Sequence, residues 1–594
     1  MKKIFAIAVF TLFTCAGASA QKTANVPARP GVIKRVQPNG DTLQVFLRGD
    51  EWGHFMMTVD GWQVSENSKG KICYHKQKTS VPTRRQAHDA AKRSKCEQRW
   101  LDKHGVQIFA RQSPASVPPR DPSKWAEWQA SHAAQAQKEV RRAGVRRAVG
   151  TRTIIPRILV IMTNFTDYTL VSSKADVDSM FNAQNWTKDD AKGSIRQYLY
   201  DQSNGAYNPQ FDIVGPVTLS HGYGYYGAGK EVSQRAGYMV TEACALVDDE
   251  VDFTIYDSDN DGYIDLVYIL YAGFGENDPP TFITGTNRDN LIWPAYWTVS
   301  GAGCGTNRRV FDGKTLNAFE YSNELDGWYS TEEQNVIAGI GVACHEFGHA
   351  LGLPDLYYTG DDKYANHKLL GMWDIMCYGP YNDDMHSPPS FSAYERFFMG
   401  WLTPELITEP DNLSLEHIAT SNKAYLISEN DQHNLDGVHP DTAVFYLLEN
   451  RQRSGWDRGI PGNGMMITRI HYQSSTWTAN HVNNDPNDMG VDIIEADGLA
   501  PTIDTDDGKY GKPGDLFPAG ATEYLGIDDH AITDITMSNG VVSFKYRGGK
   551  ETPSAIKDTN HNVQNTNKIL RNGQLFIIRN GKEYDILGHE NNQL

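Results

Sequence analysis

One stretch of the sequence constrains this chain more than any other: Cys344–Asp355, which reads CHEFGHALGLPD. It contains the pattern H-E-x-x-H, in which His345 and His349 are four residues apart. On a helix such residues lie on one face, so two imidazoles can face one metal ion. Neutral imidazole suits zinc, and a catalytic zinc takes three protein ligands and keeps one position open for water. The spacing therefore predicts a helical zinc site.

The neighbouring residues supply the other parts of a hydrolytic site. Glu346 follows the first histidine, where its carboxylate can take a proton from the attacking water. Gly352 lets the backbone leave the helix, and Pro354 prevents its continuation. Asp355 then re-enters from beneath the metal as the predicted third ligand. The mostly apolar residues 336–343 are typical of a helix buried in the floor of a cleft, so we expect the helix to include them.

A second signal lies downstream, in Gly371–Gly379. A methionine in a tight turn after a zinc helix resembles the Met-turn of the metzincin peptidases, and Met376 is that methionine here. Together with Leu353–Tyr357 and Gly400–Leu402, the two motifs resemble the immune inhibitor A family of secreted bacterial metallopeptidases. The resemblance covers roughly residues 155–545.

The resemblance implies an α+β fold. A metzincin-like zinc peptidase domain, with a twisted mixed sheet, backing helices and an active-site helix, would be followed by a β-rich domain. Zinc would be held by His345, His349 and Asp355, and Glu346 would be the general base of peptide hydrolysis. Some similar metzincins carry a tyrosine near the metal two residues after the Met-turn methionine. Tyr378 is therefore a predicted catalytic residue that donates to the oxyanion, with a core tyrosine as the alternative.

An acidic loop precedes one of the predicted strands. Residues 257–265 read DSDNDGYID, with carboxylates at positions 1, 3, 5 and 9 and glycine at position 6, as in oxygen-rich calcium loops. Position 12 is Tyr268 rather than the glutamate of an EF-hand, so we expect a loop that runs into a strand. A solvated acidic turn is the alternative. The predicted Ca²⁺ ligands are Asp257, Asp259, Asp261, Tyr263 and Asp265.

The first 20 residues predict export. Lys2 and Lys3, the apolar run 4–13 and the small residues 18–20 form a Sec signal peptide, with a lipoprotein signal through Cys15 as the alternative. No later stretch reaches the roughly 18 apolar residues that a membrane span requires. We therefore expect a secreted, extracellular or cell-surface protein without a membrane span.

Charge divides the rest of the chain. Residues 21–152 hold 25 Lys and Arg against 11 Asp and Glu, a net charge of +14, whereas residues 153–594 hold 29 against 62, a net charge of −33. A basic block often binds nucleic acid, but we do not expect an exported protein to have nucleic acid as its partner. We therefore expect a removable prosegment that attracts and inhibits the acidic remainder. Cleavage near Arg147 or Arg152 would release it.

Seven cysteines are present, and export permits disulfides, but their pairing cannot be read from sequence. Cys73 and Cys96 lie in the predicted prosegment. A prosegment thiolate or carboxylate blocks the metal in some metzincin zymogens, so either cysteine or a nearby aspartate is a candidate for that role; the two cysteines pairing with each other is the alternative. Cys344 and Cys377 flank the metal helix and the Met-turn, so they are a second candidate pair.

The predicted function is a secreted zinc-dependent endopeptidase that acts on proteins or peptides and is made as a latent zymogen. The alternative is a non-catalytic adhesive or binding protein that keeps the fold; the intact H-E-x-x-H motif and Met-turn argue against it. A serine or cysteine hydrolase is a remoter alternative, since the sequence shows no G-x-S-x-G elbow. The predicted segments are a signal peptide (1–20), a basic prosegment (21–152), a catalytic domain (153–402), a β-rich domain (403–548), a linker (549–563) and a small tail of the sorting type (564–594).

Overall fold

The structure is a computed structural model. It describes residues 24–50, 53–67, 69–76, 82–107, 156–227, 232–284, 288, 290–302, 309–360, 369–499, 510–550, 566–571, 574–579, 582–585 and 589. The predicted signal peptide, the basic pairs before residue 153 and most of the predicted linker lie outside these residues. The chain divides into two compact units, one ending at Gly548 and one beginning at Gly549.

The first unit begins with an antiparallel sheet and one helix. Its elements are β1 (Ala24–Asn25), β2 (Ile33–Val36), β3 (Thr42–Asp50), β4 (Gly53–Thr58), β5 (Gln63–Glu66), β6 (Ile72–His75), β7 (Pro82–Gln86) and α1 (Lys95–His104). Strands β2 to β7 form one sheet in sequence order. Leu43, Val45 and Leu47 alternate along β3 and are buried, as period-two side-chain placement requires. Strand β1 is not part of this sheet; it belongs to the central sheet described next.

A six-stranded mixed sheet forms the centre of the unit. The strands that follow in the chain are β8 (Arg157–Asn164), β9 (Gln210–Thr218), β10 (Tyr263–Ile264), β11 (Val267–Phe274), β12 (Ala295–Thr298), β13 (Val310–Phe311), β14 (Lys314–Leu316) and β15 (Ala318–Leu325). The sheet order is β1-β12-β15-β11-β8-β9, and β10, β14 and β13 form a separate small sheet. Strands β15, β11, β8 and β9 are parallel, whereas β12 and β1 run antiparallel to their neighbours.

In the described residues, six α-helices lie in the same part of the chain as the central sheet. They are α2 (Lys174–Asn182), α3 (Ile195–Gln202), α4 (Tyr223–Gly227), α5 (Val232–Val247), α6 (Gly341–Ala350) and α7 (Ala393–Phe398). The inner parallel strands β8 and β11 read as nearly continuous apolar runs, for example residues 158–162, because both faces of the sheet are covered there. The mixed helix and sheet content confirms the predicted α+β class.

The metal-motif helix, α6, is shorter than the sequence predicts. Residues 336–340 were expected to belong to it, but the helix begins at Gly341. The preceding backbone hydrogen-bonds to the end of β15 instead: the Asp326 amide donates to the Val336 carbonyl, and the Ala338 amide donates to the Glu324 carbonyl, both at 2.9 Å. These bonds hold the segment extended, so its apolar residues reflect burial beside a strand rather than helix formation.

The rest of the first unit is rich in strands. Its elements are β16 (Glu405–Leu406), β17 (Asp411–Leu415), α8 (Ile418–Ser421), β18 (Tyr425–Ser428), β19 (Val444–Arg451), β20 (Gly464–His471), α9 (Ser474–Thr478), β21 (Val491–Ile493), β22 (Ile532–Ser538) and β23 (Val541–Tyr546). One sheet has the order β16-β18-β19-β20-β21, and the other has the order β17-β23-β22.

A buried ionic network joins these strands to the region around α7. The Arg451 guanidinium contacts Asp457 at 2.6 Å and Glu449 at 3.1 Å, and it donates to the Ser390 carbonyl. Glu449 in turn accepts a hydrogen bond from the Ala393 amide at the start of α7. Each charge has an opposite charge and a backbone partner, as burial requires. The boundary predicted at residue 402 therefore lies inside one packed unit and stays a prediction.

The second unit contains a three-stranded antiparallel sheet. Its strands are β24 (Thr566–Arg571), β25 (Gln574–Arg579) and β26 (Lys582–Tyr584).

Throughout the part of the chain that the structure describes, no helix has the length and apolar character needed to span a membrane.

Candidate active site

Helix α6 carries the candidate metal site, and all of its residues from Gly341 to Ala350 are buried. The glycine in the H-E-x-x-H motif has a packing role. A Cβ at Gly348 would lie 2.5 Å from the Met376 Sδ, closer than nonbonded atoms can approach. The absence of a side chain at this position lets the predicted Met-turn methionine, which is fully buried, pack directly against the helix.

The two histidines of α6 direct their Nε2 atoms at the same point. The Nδ1 atom of His345 lies 2.7 Å from the Ile375 carbonyl, and that of His349 lies 2.8 Å from the Leu353 carbonyl. A carbonyl only accepts hydrogen bonds, so both Nδ1 atoms must carry the proton. Each Nε2 is then left with a free lone pair in the neutral imidazole. The two Nε2 atoms are 3.2 Å apart.

Asp355 brings a carboxylate to the same point. Gly352, with φ +95°, ends the helix in a left-handed conformation that favours glycine, and the chain then returns below the histidines. The Asp355 Oδ1 lies 3.4 Å from the His345 Nε2 and 3.3 Å from the His349 Nε2. Ligand atoms about 2.0–2.2 Å from a tetrahedral zinc ion lie about 3.3–3.6 Å apart. The three donors therefore fit a zinc ion.

The charge state of Asp355 also suits a metal ligand. Burial alone would raise the pKa of its carboxyl, but positive charge on the neighbouring His349 and His345 holds the pKa below its ordinary value. A metal cation at the Nε2 atoms would favour the ionised carboxylate in the same way, as metal binding requires.

Asn480 holds Asp355 in place from a distant part of the chain. Its side-chain oxygen accepts from the Asp355 amide at 2.7 Å, and its Nδ2 donates to the Asp355 Oδ2 at 2.6 Å. Asn483 continues the contact by donating to the Leu356 carbonyl at 2.8 Å. Asn480 is not among the site residues that the sequence predicts. It lies in a polar turn after α9, and no local pattern links that turn to the metal motif.

Glu346 lies beside the donors and is fully buried. Its carboxylate and the ligand atoms of His345 and His349 lie within 4.8 Å of one another, so Glu346 competes with Asp355 for the place of third ligand. Its Oε1 is already engaged, because it accepts the Val26 amide at 2.9 Å, whereas the Asp355 Oδ1 faces both imidazoles. Burial, with the nearby Glu320, raises the pKa of Glu346, which suits a proton carrier better than a metal ligand.

The N-terminal strand runs through the cleft beside Glu346. Strand β1 pairs antiparallel with β12, with Asn25 opposite Ala295, and so forms the edge of the sheet. The Trp293 indole donates to the Val26 carbonyl at 2.8 Å, and the Tyr381 hydroxyl donates to the Pro27 carbonyl. An extended segment of the predicted prosegment is thus bound as an added strand, the way many proteins bind a peptide.

The prosegment cysteines occupy other places. Cys73 is buried in β6 and its thiol points to the Lys71 carbonyl, and Cys96 is exposed in α1; neither forms a disulfide. The prosegment residue that contacts Glu346 is Val26, which is not among the residues predicted from the sequence. Cys344 and Cys377 are also free and buried, so the structure does not contain the suggested pair.

Tyr378 lies in the turn after Met376 and is buried. Its ring centroid is 4.7 Å from that of Tyr510. Arg48, from the N-terminal sheet, lies over the Tyr510 ring with its Cζ 4.9 Å from the centroid. Burial, with the nearby Tyr510, raises the pKa of Tyr378 well above its ordinary value, so its phenol stays protonated.

The acidic loop brings together three of its five predicted ligands. Carboxylate oxygens of Asp257, Asp259 and Asp265 lie within 4.8 Å of one another. The Asp261 carboxylate instead accepts the Tyr263 amide at 2.8 Å.

Two further observations describe the charge in this loop. The Lys314 ammonium donates to the Asp257 Oδ2 at 2.6 Å and supplies a positive charge there. Burial raises the pKa of Asp265 to about 7, and the neighbouring carboxylates of Asp259 and Asp257 add to the rise. The loop therefore concentrates negative charge in a partly buried place.

Comparison with known proteins assigns the central part of the chain. Residues 166–402 match the family described as immune inhibitor A peptidase M6, catalytic domain. Immune inhibitor A of Bacillus thuringiensis subsp. alesti is 28% identical over 232 residues, which cover 34% of this chain and 31% of that protein. The pre-pro-metalloprotease PrtV of Vibrio cholerae serotype O1 (strain M66-2) is 24% identical over 315 residues, which cover 46% of this chain and 32% of that protein.

These matches span only about a third of the length of each relative. The family match at residues 166–402 includes the helix α6 with His345, Glu346 and His349, and it extends to the end of the predicted catalytic domain. The resemblance to the immune inhibitor A family is thereby confirmed. This chain carries, in residues 166–402, a metallopeptidase catalytic domain of the immune inhibitor A-like M6 family.

Proposed function

We propose that this protein is an exported, zinc-dependent endopeptidase that is made as a latent zymogen and acts on proteins or peptides. The observation that carries the proposal is the convergence of two imidazoles and one carboxylate on one point beside Glu346, with an extended strand of the same chain hydrogen-bonded to Glu346.

His345, His349 and Asp355 would hold the zinc ion. Zinc in this place would act as a Lewis acid that polarises the peptide carbonyl and lowers the pKa of the attacking water. The protein's own part is to fix the donors: the carbonyls of Ile375 and Leu353 set the imidazole tautomers, and Asn480 orients the carboxylate. Such outer hydrogen bonds hold metal ligands in their productive orientation.

Glu346 would carry the proton during hydrolysis. Its carboxylate takes a proton from water as the water oxygen attacks the peptide carbonyl, and it gives that proton to the amide nitrogen as the C–N bond breaks. The Val26 amide nitrogen, 2.9 Å from the Glu346 Oε1, supports this role, because a leaving nitrogen at the same place would be within reach of the carboxylate. The donors that β12 and Trp293 offer to the bound strand would hold a substrate extended in the same cleft.

Latency follows from the same contact. The N-terminal strand occupies the place that a substrate would need and engages Glu346, so the uncut chain would be inactive. A cut in the basic region near Arg147 or Arg152 would allow the prosegment to leave. The alternative function, an adhesive protein with a dead site, has less support because the donor set and Glu346 are complete.

Substituting Glu346 tests the hydrolytic role. In the prosegment-cleaved chain, Glu346→Ala should reduce casein hydrolysis by about 10²- to 10⁴-fold while zinc, measured by elemental analysis, stays stoichiometric. The exposed Glu416 offers a matched control, and Glu416→Ala should change neither value. Full activity of the Glu346→Ala chain would remove the proposed base. A cleaved wild-type chain that binds zinc and digests nothing would favour the adhesive alternative.

Tyr378 is proposed to donate to the oxyanion once the prosegment, with Arg48, has left its surroundings. Tyr378→Phe should then lower kcat by about tenfold or more, with the zinc content and the thermal unfolding midpoint unchanged. Tyr200→Phe, at an exposed position, is the control. An unchanged kcat would leave Tyr378 as a core tyrosine.

Substituting Arg29 tests latency. Arg29 follows the strand in the cleft and makes buried ion pairs with Asp278 and Asp326, and breaking such pairs is costly. Arg29→Ala should therefore raise the casein-digesting activity of the uncut chain by about tenfold or more. Lys34→Ala, an exposed basic position in the same prosegment, should leave it latent. Uncut wild-type protein as active as cut protein would end the zymogen proposal.

We also propose that the loop at residues 257–265 binds Ca²⁺, which would compensate the three converging carboxylates and brace the start of β11. Added Ca²⁺ should raise the thermal unfolding midpoint of the wild-type chain, because a ligand that binds only the folded state stabilises it. Asp259→Asn should reduce that rise, whereas Asp249→Asn, at an exposed position outside the loop, should not. An unfolding midpoint that ignores Ca²⁺ in the wild-type chain would show a solvated turn.

A further inference from the structure

Arg29 lies in a buried acidic pocket at the side of the cleft, and only 2% of its surface is exposed. Its Nη1 donates to the Asp326 Oδ2 at 2.8 Å and to the Asp278 Oδ2 at 3.1 Å. Its Nη2 donates to the Asp384 Oδ1 at 3.1 Å. Asp278 and Asp326 are fully buried, whereas the Asp384 side chain is half exposed. The pocket is therefore closed at its base and open to solvent on one side.

Aromatic rings complete the pocket. The Arg29 Cζ lies 4.5 Å from the Trp328 ring centroid and 5.5 Å from the Tyr329 ring centroid. A guanidinium is planar, always charged and weakly hydrated, so it can contact aromatic faces and several carboxylates at once. A lysine ammonium lacks the planar fork that this arrangement of acceptors matches.

The pocket does not depend on Arg29 for its shape. The Gly327 amide donates to the Asp278 Oδ2 at 2.9 Å, and the amides of Trp328 and Tyr329 donate to the Asp326 Oδ1 at 2.8 and 2.9 Å. Backbone of the loop after β15 thus holds both carboxylates in place. A pair of buried carboxylates is costly without a cation between them.

The pocket also retains an unused acceptor. The Asp278 Oδ1 is buried and has no hydrogen-bond partner among the described residues. Burial raises the pKa of Asp278 to about 7 even though Arg29 opposes the rise. In the folded protein, a pocket with such buried carboxylates favours the binding of a cation.

All of the pocket residues belong to the segment that matches the peptidase family, whereas Arg29 belongs to the predicted prosegment. The loops that carry Asp278 and Asp326 follow β11 and β15, at the carboxyl ends of two neighbouring parallel strands. Removal of the prosegment would therefore leave the pocket in the enzyme and empty it of its guanidinium.

The bound strand sets the distance from the pocket to the reaction centre. The Val26 nitrogen lies at Glu346, where a leaving nitrogen would accept its proton. Counting Val26 as the first residue after the cleaved bond, Arg29 is the fourth. The Arg29 amide donates to the Asn277 carbonyl at 2.8 Å, so the segment is held by its backbone up to the residue that enters the pocket.

We propose that this acidic pocket is a substrate subsite that selects an arginine side chain at the fourth residue after the cleaved bond. The inference rests on the proposed endopeptidase function and names its substrate class: protein segments with arginine at that distance. The prosegment would then be latent because it offers the enzyme its preferred side chain in the same chain.

The test uses the full chain carrying Arg29→Ala, so that its own guanidinium is gone. Two internally quenched peptides differ only at the fourth residue after the cleaved bond, which is arginine in one and its neutral isostere citrulline in the other. Mass spectrometry of the products fixes the position of the cut. The remaining N-terminal strand competes with both peptides equally, so it lowers both kcat/KM values by the same factor and leaves their ratio intact.

We expect the arginine peptide to have a kcat/KM about tenfold higher or more. A second substitution, Asp326→Asn, should bring the ratio close to one, whereas Asp249→Asn, far from the pocket in sequence and exposed, should preserve it. Equal kcat/KM values for the two peptides in the Arg29→Ala chain would overturn the proposal.

If neither peptide is cut, the proposed hydrolysis fails but the subsite is not yet tested. A binding measurement then tests the subsite. Fluorescein-labelled peptides with the sequence of residues 24–31, carrying arginine or citrulline at the position of Arg29, are then titrated with the Arg29→Ala chain. Tighter binding of the arginine peptide, lost on Asp326→Asn, supports the pocket. Equal binding, or no binding of either peptide, overturns it.

Discussion

Two imidazoles and two carboxylates are withdrawn from water at the end of α6, and their need for partners organises the chain around them. A buried charge is costly unless it is paired or hydrogen-bonded. The imidazoles obtain carbonyl partners from the Met-turn and from the turn after the helix. Asp355 obtains Asn480, and Glu346 obtains the amide of Val26. Three separate parts of the sequence thereby meet at one helix.

The parts of the site that could be predicted are those fixed by local geometry. Residues four apart on a helix share a face, so the spacing of His345 and His349 was sufficient to predict that their rings converge. The glycine and proline after the motif predicted that the chain would turn and bring Asp355 back. The Met-turn was reached through resemblance, and the close fit of Met376 against Gly348 supplies its physical reason.

The parts that could not be predicted depend on contacts between distant residues. Val26 and Glu346 are 320 residues apart, and Asn480 and Asp355 are 125 apart. Periodicity and propensity carry no information about such pairs. The net charges of the two segments predicted attraction between them, but not that the contact next to the cleft would be one buried arginine between aspartates. The prediction that residues 336–340 belong to the helix was wrong for a related reason. Burial beside a strand and burial in a helix select the same apolar side chains.

The position of Asn480 has a consequence for how the protein can be divided. The stretch that matches the peptidase family ends at residue 402, yet Asn480, from the turn after α9, orients the carboxylate of Asp355, one of the three proposed metal donors. If those donors hold a metal, its binding and the folding of the segment after residue 402 are thermodynamically linked, and each stabilises the other by the same free energy. A fragment cut at residue 402 would then keep every proposed donor in its sequence and still hold the metal less tightly. The segment needed for full metal affinity would be longer than the segment that matches the family.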